Sequence, residues 1–201
     1  MQKKIILING QKRSGKDFSA TLLTELLKEQ GNSVEVLSFA TPLKQIMCDT
    51  LGVGMEEMEE FKNNSADYDM PFMAYPNNQP PVQFGRINFR ELLQRFGTEG
   101  MKPVFGESVW ADITLKMAIE STSDVIIIPD FRFNIESDTM LNSELDIKTL
   151  KIKNDDVDGG EDLHASEREL DDYLFDYTID NTGHSEHLGN YLETFINTYL
   201  I

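Results

Sequence analysis

The sequence predicts an α/β fold, a parallel sheet covered by helices, and three observations predict it. Two apolar runs, Ile5-Ile6-Leu7-Ile8 and Val125-Ile126-Ile127-Ile128, are of the kind a sheet buried on both faces requires. Strand-type and helix-type patterns alternate from Lys3 to Leu51. Between the first strand and the first helix stands Gly10-Gln11-Lys12-Arg13-Ser14-Gly15-Lys16-Asp17. It fits G-x-x-x-x-G-K in every position but the last, where Ser or Thr is usual and Asp17 stands.

The first strand covers residues 3–9 and the first helix 15–30, closed by Gly31. In the loop between them, Gly10 and Gly15 permit backbone geometries that a Cβ would obstruct, so successive N–H groups can converge on an anion. The helix adds the positive end of its dipole, and Lys16 a mobile ammonium for outer phosphates. Set against nucleotide binding is a glycine-rich surface turn with an incidental lysine.

Ser33 to Phe39 reads as a second strand, and Ala40-Thr41-Pro42 opens a helix with Thr41 as candidate N-cap and Pro42 at the first helical position. Periodicity then fails from Gly52 to Asn88, where acidic residues give way to Asn, Pro and Gly. So long a connection suits a mobile insertion at a substrate edge better than a separate domain. Asn88-Phe89-Arg90-Glu91 resembles a capping box, launching a helix that ends near Gly97 or Gly100.

A helix over roughly Ser108–Glu120 precedes the second apolar strand, whose carboxyl end carries Pro129, Asp130 and Arg132. Ligands of open parallel sheets sit beyond the carboxyl ends of strands, so the glycine loop and Asp130–Arg132 share one edge. A helix near 134–143, a strand over Asp146–Ile152, an acidic loop over Asn154–Asp162, and a strand over Phe175–Ile179 follow. After the turn at Asn181-Thr182-Gly183, a closing helix begins near Ser185, with Leu188, Leu192, Phe195 and Tyr199 at helical spacing.

With 201 residues, the chain suits one domain over 1–201. Its formal charge of −17, from 35 acidic and 18 basic side chains, argues against wrapping nucleic acid, because neutralising a phosphate backbone takes a basic surface. A small basic pocket for an anionic metabolite remains open, and Lys12, Arg13 and Lys16 crowd the loop. No segment suits a membrane span or a signal peptide, and the single cysteine, Cys48, suits a buried thiol; the cytoplasm is the expected compartment.

Taken in order, several segments resemble the bacteriophage-type deoxynucleoside monophosphate kinases. They are GQKRSGKD, Phe39-Ala40-Thr41-Pro42-Leu43-Lys44, the run from Arg90 through Gln94 and Gly97-Thr98 to Glu99, Trp110, Pro129-Asp130-Phe131-Arg132, His164-Ala165-Ser166-Glu167 and Asp180-Asn181. The series spans essentially the whole chain, and the KRSGKD form of the loop is common in that family.

The resemblance implies a P-loop NTPase-type fold like the nucleoside monophosphate kinases, with the mobile insertion at 52–88 and a lid-like segment at 153–168. It implies ATP and Mg2+ as cofactors, small-molecule nucleotides as partners, host-cell cytoplasm for a phage-encoded chain, and allows a homodimer. Gly10, Arg13, Ser14, Gly15 and Lys16 would hold the phosphates of ATP, with Asp17 in place of the magnesium-ligating hydroxyl. The competing role for Asp17 is an acid in the first turn of a helix.

On the acceptor side the same resemblance names Lys44, Arg90 and Arg132 as phosphate grips. Exposed helix charges are the alternative for Lys44 and Arg90. Asp130 would organise magnesium or orient Arg132. Gln94, Thr98 and Trp110 match acceptor-side positions, although Trp110 could equally be packing. Asn181 falls where related kinases recognise the donor adenine, and a turn asparagine explains it as well. His164 and Glu167 suit a structural cap better than catalysis. No general base is assigned, since an acceptor monophosphate is largely ionised at neutral pH.

One departure from the family is charge. Residues 154–162 are acidic where related kinases close an arginine-bearing lid, with only Lys151, Lys153 and Arg168 flanking them. Two other functions stay open from the sequence. One is a kinase for another small acceptor such as dephospho-coenzyme A; the other is a non-catalytic ATP-binding regulatory protein.

Overall fold

The computed structural model describes residues 2–63, 67–69, 73–74, 82–83, 86–156, 169–183 and 187–200. They gather into two compact units, one of residues 1–39 and 111–201 and one of residues 40–110.

The first unit is built on a five-stranded, wholly parallel sheet. Its strands are β1 (Lys4–Asn9), β2 (Val34–Val36), β7 (Val125–Ile128), β8 (Asp146–Lys153) and β9 (Tyr177–Asp180), in the order β2-β7-β1-β8-β9. Ile5 to Ile8 are fully buried, and their alternation divides the core. Ile6 and Ile8 face Leu23 and Leu27 of α1 (Lys16–Glu29) and Leu192, Phe195 and Ile196 of α8 (Leu188–Tyr199). Ile5 and Leu7 face Ala118 of α6 (Val109–Glu120) and Met140 of α7 (Asn134–Leu141), with Leu37 and Phe131. Each large side chain so buried contributes about 1.5–3 kcal/mol.

The second strand is shorter than the sequence suggests. Its pairing with β7 stops after Val36, because the carboxylate of Asp130 takes the Ser38 hydroxyl at 2.6 Å and the Phe39 amide at 3.0 Å. The last strand begins at Tyr177 rather than Phe175, since the Asp176 carboxylate accepts from the Thr149 amide and hydroxyl just before the ladder starts.

The second unit carries α2 (Thr41–Leu51), α3 (Met55–Asn63), the antiparallel pairs β3 (Asp67–Asp69) with β6 (Arg86–Asn88) and β4 (Met73–Ala74) with β5 (Val82–Gln83), and α4 (Phe89–Gln94). Met47, Cys48, Met58, Phe89, Leu92 and Leu93 form its core. Ala40, not Thr41, occupies the N-cap of α2, with Pro42 buried in the first turn. The helix over 55–63 was missed by the sequence reading, although Met55 and Met58 stand one turn apart and Met58 is fully buried. The expected stop near Gly97 or Gly100 is also absent. After α4 the chain runs through a wide π turn at Arg95–Met101 into α5 (Lys102–Phe105). Gly97 lies inside that turn, where a Cβ would come within 2.8 Å of Leu43.

Candidate phosphate-binding site

The loop after β1 has little room for side chains. A Cβ on Gly10 would stand 2.5 Å from Ser14 Oγ and 2.9 Å from the Ile152 carbonyl oxygen. Gly15, the N-cap of α1, adopts φ +95°, in the left-handed region that favours glycine, and Arg13 has φ 68°. Ser14 is buried, and its amide donates to Gln11 O at 3.1 Å. The result is a tight backbone arch over a helix N-terminus, the arrangement that offers several N–H groups to an anion.

Lys16 begins the helix with its ammonium 2.9 Å from Asp17 Oδ1 and 3.1 Å from Oδ2. Asp17 is mostly exposed, so the pair stabilises the fold little; its effect is to hold the ammonium beside the loop. Among the described residues no three His, Cys, Asp or Glu side chains converge as a metal site. A magnesium ion carried by nucleotide phosphates needs only one or two protein carboxylates, and the exposed Asp17 fits that demand.

At the end of β7, Asp130 spends its carboxylate on Ser38 and Phe39, a task neither of its expected roles included. Arg132 is exposed, and its backbone is held from below: Glu136 Oε2 accepts the amides of Arg132 at 2.8 Å and Phe133 at 3.0 Å. Glu136 is 8% exposed, and burial pushes its carboxyl up to about 8, outweighing the two N–H bonds that favour the ion. Asn9 Nδ2 donates to Phe131 O at 2.9 Å, fastening the same loop to the end of β1. The sequence reading missed Glu136; its place three residues past Phe133, at the start of a helix, was the available signal.

Asn181 follows β9 and is buried. Its Nδ2 donates to Ser14 O at 3.0 Å, joining the far edge of the sheet to the glycine loop. A cavity of about 190 Å3 lies along the same edge, bordered by Gln11, Ser14, Lys151, Lys153, Asp155 and Asp171. Lys153 is neutralised there by Asp155 at 2.9 Å. His164, Glu167, Arg168 and most of the lid-like segment lie outside the described residues, as does much of the insertion between 64 and 85.

The expected acceptor residues of the second unit have partners of their own. Lys44 bonds Glu59 at 2.7 Å, and Lys62 bonds the same carboxylate. Burial raises the Glu59 carboxyl, but the two ammonium groups outweigh it and hold the group below its ordinary value. Arg90 is exposed, and its Nε donates to Lys62 O at 3.3 Å. Gln94 and Thr98 are exposed. Trp110 is 9% exposed and donates its Nε1–H to Gly97 O at 3.2 Å.

No protein-family model and no curated protein matches the chain. Solved structures do. A Chloroflexus aurantiacus protein with a provisional kinase designation aligns over 100% of both chains at 14% identity and a TM-score of 0.51. The Mycobacterium tuberculosis APS kinase, solved with AMPPNP and APS, aligns over 98% of this chain and 96% of its own, at 12% identity and a TM-score of 0.48. Shikimate kinase from Acinetobacter baumannii, solved with shikimate, aligns over 98% and 92% at 12% identity and 0.41. At such identities the first likeness speaks for the fold alone.

Proposed function

We propose that this chain, a P-loop NTPase-type α/β protein, transfers the γ-phosphoryl group of ATP to a deoxynucleoside 5′-monophosphate, giving ADP and the nucleoside diphosphate. The observation that carries the donor half is the arch at Gly10–Gly15, where a Cβ has no room at Gly10 and the backbone stands over the start of α1. The acceptor half rests on the ordered series of segments that resembles the phage-type kinases and on the exposed Arg132 beside a buried strand end.

Chemically, an acceptor phosphate oxygen attacks the γ-phosphorus while the bond to the bridging oxygen of ADP breaks, and ADP leaves with the electron pair. The acceptor oxygen is already ionised, so no side chain need remove a proton. Catalysis is then positioning and charge neutralisation. Lys16, Arg13 and the loop amides would hold the donor, and Arg132 and Arg90 the acceptor. Asp17 would hold Mg2+, which supplies further neutralisation of the phosphates. Lys44, already bonded to Glu59, would share its ammonium between that carboxylate and the acceptor phosphate.

The test is ADP release from ATP–Mg2+ against the four deoxynucleoside monophosphates, their ribose counterparts and dephospho-coenzyme A. Turnover with one or more deoxy forms is expected. Turnover with dephospho-coenzyme A alone would move the acceptor assignment, and ATP binding with no acceptor turned over would leave a regulatory protein.

A further inference from the structure

Asn181 Nδ2 donates to Ser14 O at 3.0 Å in a buried bond between residues 167 positions apart. The backbone holds the side chain in place, because the Asn181 amide donates to Lys153 O at 2.7 Å and extends the β8–β9 ladder by one residue. The carboxamide also lies against the next residue of the loop: its nitrogen would be 2.6 Å from a Cβ on Gly15. Asn181 Oδ1 is buried and has no hydrogen-bond partner among the described residues.

A trans peptide is planar, with its C=O and N–H pointing in opposite directions. Holding the Ser14 carbonyl toward Asn181 therefore turns the Gly15 N–H to the other side, away from Asn181. We infer that Asn181 is a positioning residue of the glycine loop, which aims the Gly15 N–H at a bound polyphosphate, and that it does not read the donor base. The inference rests on the donor half of the proposed function. It also departs from the adenine-recognising role that the family resemblance implies for this position.

The two roles predict different ligand dependence. Affinities for ATP, GTP and inorganic tripolyphosphate are measured by titration calorimetry on the wild type and on Asn181→Leu, which keeps the bulk and removes the donor. A positioning role lowers all three affinities by a similar factor, about tenfold for a lost buried hydrogen bond. Loss for ATP with tripolyphosphate unchanged would assign Asn181 to the base and overturn the inference, as would no loss at all.

A wild type that binds neither ATP nor tripolyphosphate would refute the donor reading itself. Selective loss in the variant alone would refute only the role of Asn181. Should Asn181→Leu not fold, amide resonances of the wild type decide. Tripolyphosphate is expected to shift the Gly15 N–H as far as ATP does. A Gly15 N–H that moves with ATP and stays still with tripolyphosphate would sink the proposal.

Discussion

Glu136 Oε2 accepts the backbone amide of Arg132 at 2.8 Å, so a buried carboxyl group sets the direction of the chain at the exposed arginine beyond β7. Phe133 donates to the same oxygen at 3.0 Å. The nearest opposing charges are Asp130, which disfavours ionisation of Glu136, and Arg132, which favours it; burial exceeds both.

That burial has a pH signature. The Glu136 carboxyl has an ordinary value of 4.5 and is raised to about 8 in the folded chain. Between those values the folded state holds a proton that the unfolded state has released. Stability therefore falls as pH rises from 4.5 toward 8 and levels off above, by an amount on the order of a few kcal/mol. Glu136→Gln keeps an acceptor for the two amides and removes the titration. Urea unfolding at pH 5 and pH 8 should show a smaller difference in the variant than in the wild type. Equal slopes would place the titration elsewhere.

Gly10→Ala puts a methyl group 2.9 Å from a backbone oxygen that cannot rotate away. The expected cost is about 1–3 kcal/mol of stability, together with loss of triphosphate binding as the arch opens. Chemical denaturation and calorimetric titration of ATP check the two effects separately.

Lys16→Ala should abolish turnover and leave the unfolding midpoint nearly unchanged, because Asp17, its partner, is mostly exposed and the pair adds little stability. Near-normal ADP release from the variant would remove Lys16 from the donor site.

Arg132→Ala should raise the acceptor KM by tenfold or more, about 1.4 kcal/mol, with the KM for ATP little altered. The guanidinium is exposed and its backbone is fixed by Glu136, so the substitution removes charge without disturbing the loop. An unchanged acceptor KM and kcat would exclude the role.

Trp110→Phe deletes the bond to Gly97 O and keeps most of the buried ring. A loss of about 1 kcal/mol in the unfolding of residues 40–110 is expected, measured by hydrogen exchange, with nucleotide preference unaltered. A changed base preference would place Trp110 on the acceptor side.

What could be read from the residues was local. The buried strands at Ile5–Ile8 and Val125–Ile128 announce themselves as unbroken apolar runs, and the glycine loop by spacing within eight residues. The helix at 55–63 was legible in Met55 and Met58 but was masked by the acidic residues around them. Single-residue roles were less so. Asp130 and Asn181 were found as residue types at strand ends, yet their partners, Ser38 with Phe39 and Ser14, lie far away in sequence.

Hydrophobic period and glycine spacing act over a few neighbouring residues, so the sheet, its parallel sense and the glycine loop could be read from the chain alone. Which polar groups hold that loop and the strand ends around it emerged only from the three-dimensional packing. Asn181 meets Ser14, and Asp130 meets Phe39, only once β9 and β7 have taken their places in the sheet. A buried hydrogen bond depends on distance and direction in space, and a linear pattern carries neither.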